Sequence, residues 1–562
     1  MKKMILFGLM LALLSTPAFA WIGEADLGTN DPGDPLAETF ITGIRTLSSD
    51  TLYNMYGRIY VEDGAELHIP SGTIIKGNPA AVLVITRGAK IFATGTKHRP
   101  IIFTSSYEPG NRFPGDWGGI VILGKGLVNQ GTAVIEGGII NNEFGGTDPM
   151  DSSGVFKYVR LEYPGYRYAE GNEINGVTMG GVGAGTEFHH VQVSYSYDDS
   201  FEWFGGNVNC SHLVAIGGTD DEFDTDFGYN GNLQFLFALR DPDYFDVEST
   251  NGLESDNDGD GSDLTPYTWP VYSNITLVGP ERTDALVGTL VPGNTFTDSA
   301  RPRRNSRLSC FNSAFLGYPS GLSVRDGSRD AAAANDLRFV NVSVATSIPQ
   351  DVDCNTAEGY PSSVMDCSRW DGVSAWYDTP AYNNNGVDFR MPSSIGLTDM
   401  SVLTNPNPVP APGSELIGSA DFSDSYLADE FFTPVTYRGA FDPSLAMDQQ
   451  WTAVWTEFDP QNYVYNVSAV GDELPVAKVG LGNYPNPFNP MTTIKFSVPR
   501  AGNATLKVFN VRGQEVAVLH NGELTAGDHS LSFSGEGLPS GTYFYRLTGN
   551  GFEATEKMQL VK

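Results

Sequence analysis

From about Thr51 to Ala345 the chain alternates short apolar runs with Gly, Asn and Asp. Examples are "GTIIKGN", "AVLVITRGAKIFATGT", "GGIVILG", "HVQVSYS", "HLVAIGG" and "NITLVG". Each suits a strand of about five to seven residues. No amphipathic helix of useful length separates them, which argues against βαβ units. Contiguous runs such as "IVIL" and "LVAI" fit parallel strands covered on both faces. Two segments repeat openly, "HVQVSYSYDDSFEWFGG" from His190 and "HLVAIGGTDDEFDTDFG" from His212, an offset of 22 residues. Asp198 and Asp199 then match Asp220 and Asp221, Phe201 matches Phe223, and Glu202 matches Asp224. A period near twenty with several short strands per repeat is the mark of a β-solenoid. One coil cannot bury its inward side chains alone, so coils stack around a shared interior. The expected fold is mostly β: a right-handed parallel β-helix over 51–345, after an N-terminal cap region at 21–50.

Beyond the solenoid the pattern loosens. Residues 346–466 are rich in Pro, Asn, Ser and Asp, as in "TNPNPVPAPGSEL". They are expected to form irregular late coils and a cap, because a terminal coil left open exposes strand edges. Residues 467–480 read as a linker. Alternation returns over 481–562, with "TIKFSV", "TLKVFNV", "EVAVL", "HSLSFS", "TYFYRL" and "EKMQLV" between turn signals. Six or seven short strands in about eighty residues predict a small Ig-like β-sandwich.

At the other end, Lys2 and Lys3, the apolar stretch Ile5 to Leu14 and the Ala18-Phe19-Ala20 site form the pattern of a signal peptide, 1–20. The apolar run is too short for a permanent span, and no transmembrane segment is expected after cleavage. Lys+Arg 34 against Asp+Glu 67 gives a formal net charge of -33, which argues against nucleic acid or anionic membrane as a partner and permits divalent cations, the alternative being a charge that only keeps a surface protein soluble. Export permits disulfides, and Cys354 with Cys367 is the pairing that closes a short loop. Cys210, inside a predicted strand, fits a buried thiol equally well.

The tail resembles the type IX secretion C-terminal sorting domain of Bacteroidetes and related bacteria. The likeness rests on "YPNPFNP" (Tyr484, Pro485, Asn486, Pro487, Phe488, Asn489, Pro490), "VFNVRGQEV", "LPSGTYFYRL" and the terminal "KMQLVK". It implies recognition by type IX secretion machinery and a product released outside the cell or held on its outer surface. The central "GDWGGIVILGKG" and "GGTDDEFDTDFGYNG" are similar to exported β-helix proteins of pectin-lyase-like architecture. That likeness bears on fold and location.

The acidic repeat carries the candidate chemistry. If one coil is 22 residues, Asp198 stacks on Asp220, Asp199 on Asp221 and Glu202 on Asp224, about 4.8 Å apart. Like charges at that distance repel by a few kcal/mol at an effective dielectric near 20. Solvation at an outward turn, protonation or a cation would relieve them, and Asp226 adds a further carboxylate. Calcium takes six to eight oxygen ligands, which such a ladder can supply. In "ESDNDGDGSD", Asp256, Asp258 and Asp260 precede Gly261 as in the opening of a calcium loop. Tyr267 stands where an EF-hand has its bidentate Glu, and a flexible polar insertion is the alternative.

For catalysis the sequence offers Arg240, Lys157, Arg160 and the histidines His189, His190 and His212 as candidate bases, none in a recognisable motif. Stacked histidines in a solenoid are more often structural. The expected function is a secreted or surface β-helix serving as a noncatalytic adhesin, matrix component or glycan-binding scaffold stiffened by calcium. The alternative is a polysaccharide lyase or glycoside hydrolase acting on an extracellular polysaccharide.

Overall fold

The computed structural model describes residues 23–562 except 170–171, 248, 291–292, 347–375, 385–389, 466–480, 499–501, 511–513, 525–526 and 550–551. The signal peptide, the linker 467–480 and the Cys354–Cys367 pair fall outside the described residues. The chain forms two compact units, Met1–Ala469 and Val470–Lys562.

The first unit is a parallel β-helix. Its strands form two parallel sheets, one of 16 and one of 10 strands among the described residues, and from Val177–Val182 to Asp298–Pro302 successive strands alternate between them. Thus Glu187–Ser194, Cys210–Ile216, Asn232–Leu239 and Val271–Val278 neighbour one another in the long sheet. Between them in sequence come Phe201–Gly206, Phe223–Asp226 and Leu253–Ser255, which neighbour one another in the ten-stranded sheet. In that sheet Ile59, Leu83, Ile120, Val177, Phe201, Phe223, Leu253, Ala300 and Leu322 share one register and point inward. Each is buried in the common core, where a large apolar side chain contributes about 1.5–3 kcal/mol.

The long sheet has a bend that recurs in every coil from Tyr158 onward. Tyr158 (φ 49°), His190 (54°), His212 (57°), Phe235 (60°), Asn274 (56°), Asn312 (48°) and Asn341 (62°) are left-handed in turn. Each sits at the one break in its strand pairing, as between Lys157↔His189 and Val159↔Val191. A left-handed residue is disfavoured for any side chain but glycine. Stacking and amide bonds offset that cost here. Ring centroids lie 4.4 Å apart for Tyr158–His190, 4.3 Å for His190–His212 and 5.1 Å for His212–Phe235.

The region expected as late coils and cap does two things. Trp376 and Tyr377 close over the last coil, with Trp376 on Phe339 at 6.1 Å and the Tyr377 hydroxyl donating to the Val342 carbonyl at 2.8 Å. Residues 390–465 then depart from the expectation: they run back along the flank of the long sheet as a strap. Asn312 donates to Asp421 O (2.9 Å), Gln234 to Thr433 O (2.8 Å), Asn274 to Tyr437 O (2.9 Å) and Arg112 to Pro460 O (2.6 Å). Gln192 pairs with Glu457 through both its amide atoms. The strap therefore returns from the last coils to an early one, held by side chains that satisfy its backbone where no sheet partner exists.

The second unit is a small antiparallel β domain of a three-stranded and a four-stranded sheet. Its core gathers Phe488, Ile494, Phe496, Leu506, Val508, Tyr545 and Leu560. The proline-rich motif belongs to this domain. Phe488 is buried against Phe533, and its N–H donates to Gln559 O at 2.9 Å. Asn486 donates to Lys557 O (3.2 Å) and accepts from Gln559 N–H (2.9 Å). Pro485 O accepts from the Thr492 hydroxyl at 2.8 Å and Pro490 O from the Gly535 N–H at 2.7 Å. Pro487 and Asn489 stay exposed. The motif clips the terminal strand in place through the buried Phe488 ring, the Asn486 amide and the carbonyls of Pro485 and Pro490.

Candidate metal centre

On the outer side of the ten-stranded sheet a second column runs beside the apolar one. Thr178, Glu202, Asp224, Glu254 and Arg301 occupy one register on consecutive strands. Strand alternation explains this: Phe201, Phe223 and Leu253 face in, so the next residue of each strand faces out. Glu202 and Asp224 are half-buried, while Glu254 is buried.

A second row lies at the turns before these strands. Asp199 accepts the Asp221 N–H at 2.8 Å, Asp221 accepts the Asn251 N–H, and Asn251 accepts the Asp298 N–H at 3.3 Å. Each side chain thus stitches its coil to the next. Asn251 also donates to Glu254 at 3.0 Å and to Asp221 at 3.3 Å, and accepts the Thr297 hydroxyl at 2.6 Å. Replacing Asn251 by Ala should cost about 1–3 kcal/mol, from buried partners left without a bond. Urea unfolding measures it; a loss below about half a kcal/mol would mean that the stitch is redundant.

The two rows meet in three overlapping groups: Asp198, Asp199 and Asp220; Asp199, Glu202 and Asp224; and Asp221, Asp224 and Glu254. Within each group one carboxylate oxygen from each residue lies within 4.8 Å of the others. Two oxygens each 2.3–2.6 Å from one calcium ion are at most about 5 Å apart, so the spacing fits a hard cation. Asp199 and Asp224 each belong to two groups. Burial, and then the neighbouring carboxylates, push these acids up. Asp198 is raised to about 8 by burial and by Glu173, Glu136 and Asp246. Glu254 is raised to about 8 by burial and Asp221, against the pull of Arg303. Asp199, Glu202, Asp220 and Asp224 are raised well above the carboxylate range for the same reasons.

The acidic column ends on arginines. Arg301 lies 3.6 Å from Glu254 and 2.9 Å from Asp298, and Arg303 pairs with both Glu254 and Asp256. Burial works against the Arg303 charge, but Glu254 and Asp256 outweigh it and raise its pKa.

The remaining predicted residues separate. Asp226, beyond the column, accepts its neighbour Phe227 N–H at 2.6 Å. Asp256 is held by Arg303 and by Arg304, each at 2.8 Å. Asp258 accepts the N–H groups of Asp260 and Ser262, both at 3.0 Å, and Asp260 points to solvent. The loop does not gather Asp256, Asp258 and Asp260 around one ion; Asp258 is spent on an Asx turn. Cys210 and Cys310 are buried free thiols. Arg240 is fully buried on Glu222 at 3.1 Å, and Arg160 lies buried beneath the strap beside Glu162 at 3.5 Å. Sequence reasoning missed Glu254, Glu136 and Glu173. Glu254 follows "NGL" as Asp224 follows "EF", but the 30-residue spacing between the two hides the repeat.

Residues 40–381 match the family model of the pectate-lyase like beta helix domain, and residues 483–561 match that of the secretion system C-terminal sorting domain. No curated protein and no solved structure matches the chain.

Proposed function

Because the chain belongs to the pectate-lyase-like β-helix family, we propose that this secreted protein is a noncatalytic surface or matrix scaffold stiffened by calcium and presenting its flank to glycans. The sorting domain marks it for export to the cell surface or the extracellular space, and type IX machinery is the reader we assign to it. No helix among the described residues is long and apolar enough to cross a membrane. The observation that carries the calcium reading is the chain of three carboxylate groups sharing Asp199 and Asp224. Hard oxygen donors of this kind suit calcium rather than a softer metal. Asp198, Asp199, Glu202, Asp220, Asp221, Asp224 and Glu254 would hold the ions. Calorimetric titration should give saturable calcium uptake that Asp224→Asn weakens at least about tenfold; equal uptake in both proteins would remove the assignment.

A lyase or hydrolase acting on an extracellular polysaccharide is the second reading, favoured by arginines in register with carboxylates. Arg301 and Arg303 speak against their own use as bases, since their carboxylate partners keep both guanidinium groups protonated. Incubation of the purified protein with acidic polysaccharides, with calcium and with chelator, decides between them. Binding without new reducing ends or unsaturated products supports the scaffold; product formation overturns it.

A further inference from the structure

The strap is bonded to the long sheet at many points, but one patch differs in kind. Between Gln192 at one side and Gln234 and Asn274 at the other, its contact with the sheet is aromatic. Trp451 meets His212 edge-on at 5.2 Å and His190 at 6.4 Å, and Trp455 meets His190 at 5.7 Å and Tyr158 at 5.9 Å. Trp455 is fully buried there. In the same column the flanking coils use Tyr158 and Phe235, rings that do not charge in acid. The two central coils under the tryptophans use histidine instead.

We propose that the strap is an acid-released latch, triggered by protonation of the stacked His190–His212 pair beneath Trp451 and Trp455. The surroundings leave a charged pair unsupported. From the strand Gly154–Glu162 come Lys157 and Tyr158; from the histidines' own strands come Glu187, His189 and the Ser211 hydroxyl. Phe235 and the strap's two indoles bring no charge. Lys97 adds a more distant positive one. Glu187 is the single carboxylate among these groups, and it is engaged by Lys157 at 2.7 Å and His189 at 3.0 Å. Rings 4.3 Å apart that both carry charge repel each other as well. Burial, with the neighbouring positive groups, already holds His190 down at about 2 and His212 at about 4. A route for the proton exists: His189 is part-exposed, and its Nδ1 lies 2.7 Å from the His190 Nδ1.

The sign follows from linkage. The open strap exposes both histidines to water, which lifts the burial that holds them down and raises them toward their ordinary value of about 6.5, so the open form takes up protons that the closed form refuses. Opening is therefore favoured as pH falls below about 6.5, by up to about a hundredfold per unit while two protons are involved. Below about 4 the His212 contribution levels off. Other long-sheet contacts, through Gln234, Asn274 and Asn312, do not titrate and should stay closed longest.

Hydrogen exchange of the full-length mature protein tests this, with rates corrected for the intrinsic pH dependence of free peptides. In the wild type, peptides over 440–465 should lose protection between pH 6.5 and 4, while the core strand Gly119–Leu123 keeps its protection. In His190→Phe/His212→Phe the strap should stay protected, since Phe235 shows that the left-handed position accepts phenylalanine. His212→Phe alone should reduce the slope from two protons to one, and it serves if the double variant fails to fold. A strap that stays protected at pH 4 in the wild type, or that opens equally in the variants, overturns the latch. So does loss of protection in the strap and in Gly119–Leu123 together.

Discussion

In the presence of a chelator, the melting temperature of this protein falls as the pH rises from about 4 to about 8, and calcium abolishes the fall. The carboxyls Asp198 and Glu254 are raised to about 8, and Asp199, Glu202, Asp220, Asp224 and Asp226 are raised as well, burial leading in each case. Unfolded carboxyls ionise near 4. Between the two values the folded state binds more protons than the unfolded one, so its stability declines with rising pH. The contribution is whole below about 4 and is lost through about 8. His190 and His212 act the other way, since their lowered values make the fold gain stability as pH climbs to about 6.5. The carboxyls outnumber them, so the net slope is downward, and it is cleanest between about 6.5 and 8. A net hundredfold difference in proton affinity is already worth about 3 kcal/mol, or about 2–3 °C for a chain of this size. A bound cation replaces those protons and binds the folded state alone, so it flattens the curve and lifts its alkaline arm. Thermal melts at fixed ionic strength, with and without calcium, read both effects. A chelated protein that gains stability from pH 6.5 to 8 would show that the carboxylates are solvated and the metal reading unnecessary.

That site was half legible in the sequence, for physical reasons. The offset between His190 and His212 exposes the coil length because two adjacent coils there carry no insertion, and Glu202 does pair with Asp224. The next coil is longer, so Glu254 reads as part of a separate acidic loop. Within that loop Asp256 reads as free until Arg303 and Arg304, remote in sequence, are brought against it. The row of left-handed residues is hidden for another reason. Tyr158, His190, His212, Phe235 and Asn274 share a backbone conformation but only His190 and His212 share a residue type, so the full row does not stand out by residue type. The strap is illegible because its bonds are mostly amides reaching backbone carbonyls, as Gln234 reaches Thr433, and such pairing leaves no periodicity. The solenoid core and the small tail domain are readable because both rest on strict alternation.

The largest single-residue effect is expected at Arg240. Arg240→Met should lower stability by about 3–5 kcal/mol, because it strands a buried charge. Arg240 and Glu222 are both fully buried, 3.1 Å apart, and the Ser200 hydroxyl, 2.8 Å from Glu222, is a neutral partner that cannot replace the arginine. Arg240 also donates to the carbonyls of Gly218, at 2.6 Å, and of Asp220 and Asn251. These carbonyls belong to the turns that carry Asp220, Asp221 and the Asn251 stitch, so the same guanidinium fixes the backbone behind the carboxylate groups. Loss of stability and loss of calcium affinity should therefore appear together in Arg240→Met. Adding Glu222→Met removes the orphaned charge and should recover much of the stability. It should not restore the affinity, because the turn carbonyls stay unsupported. Urea unfolding and calcium titration of the single and double variants separate the two roles. An Arg240→Met protein within about 1 kcal/mol of wild type would show that the buried pair is relieved by water. A double variant with full calcium affinity would free the turns from any dependence on this arginine.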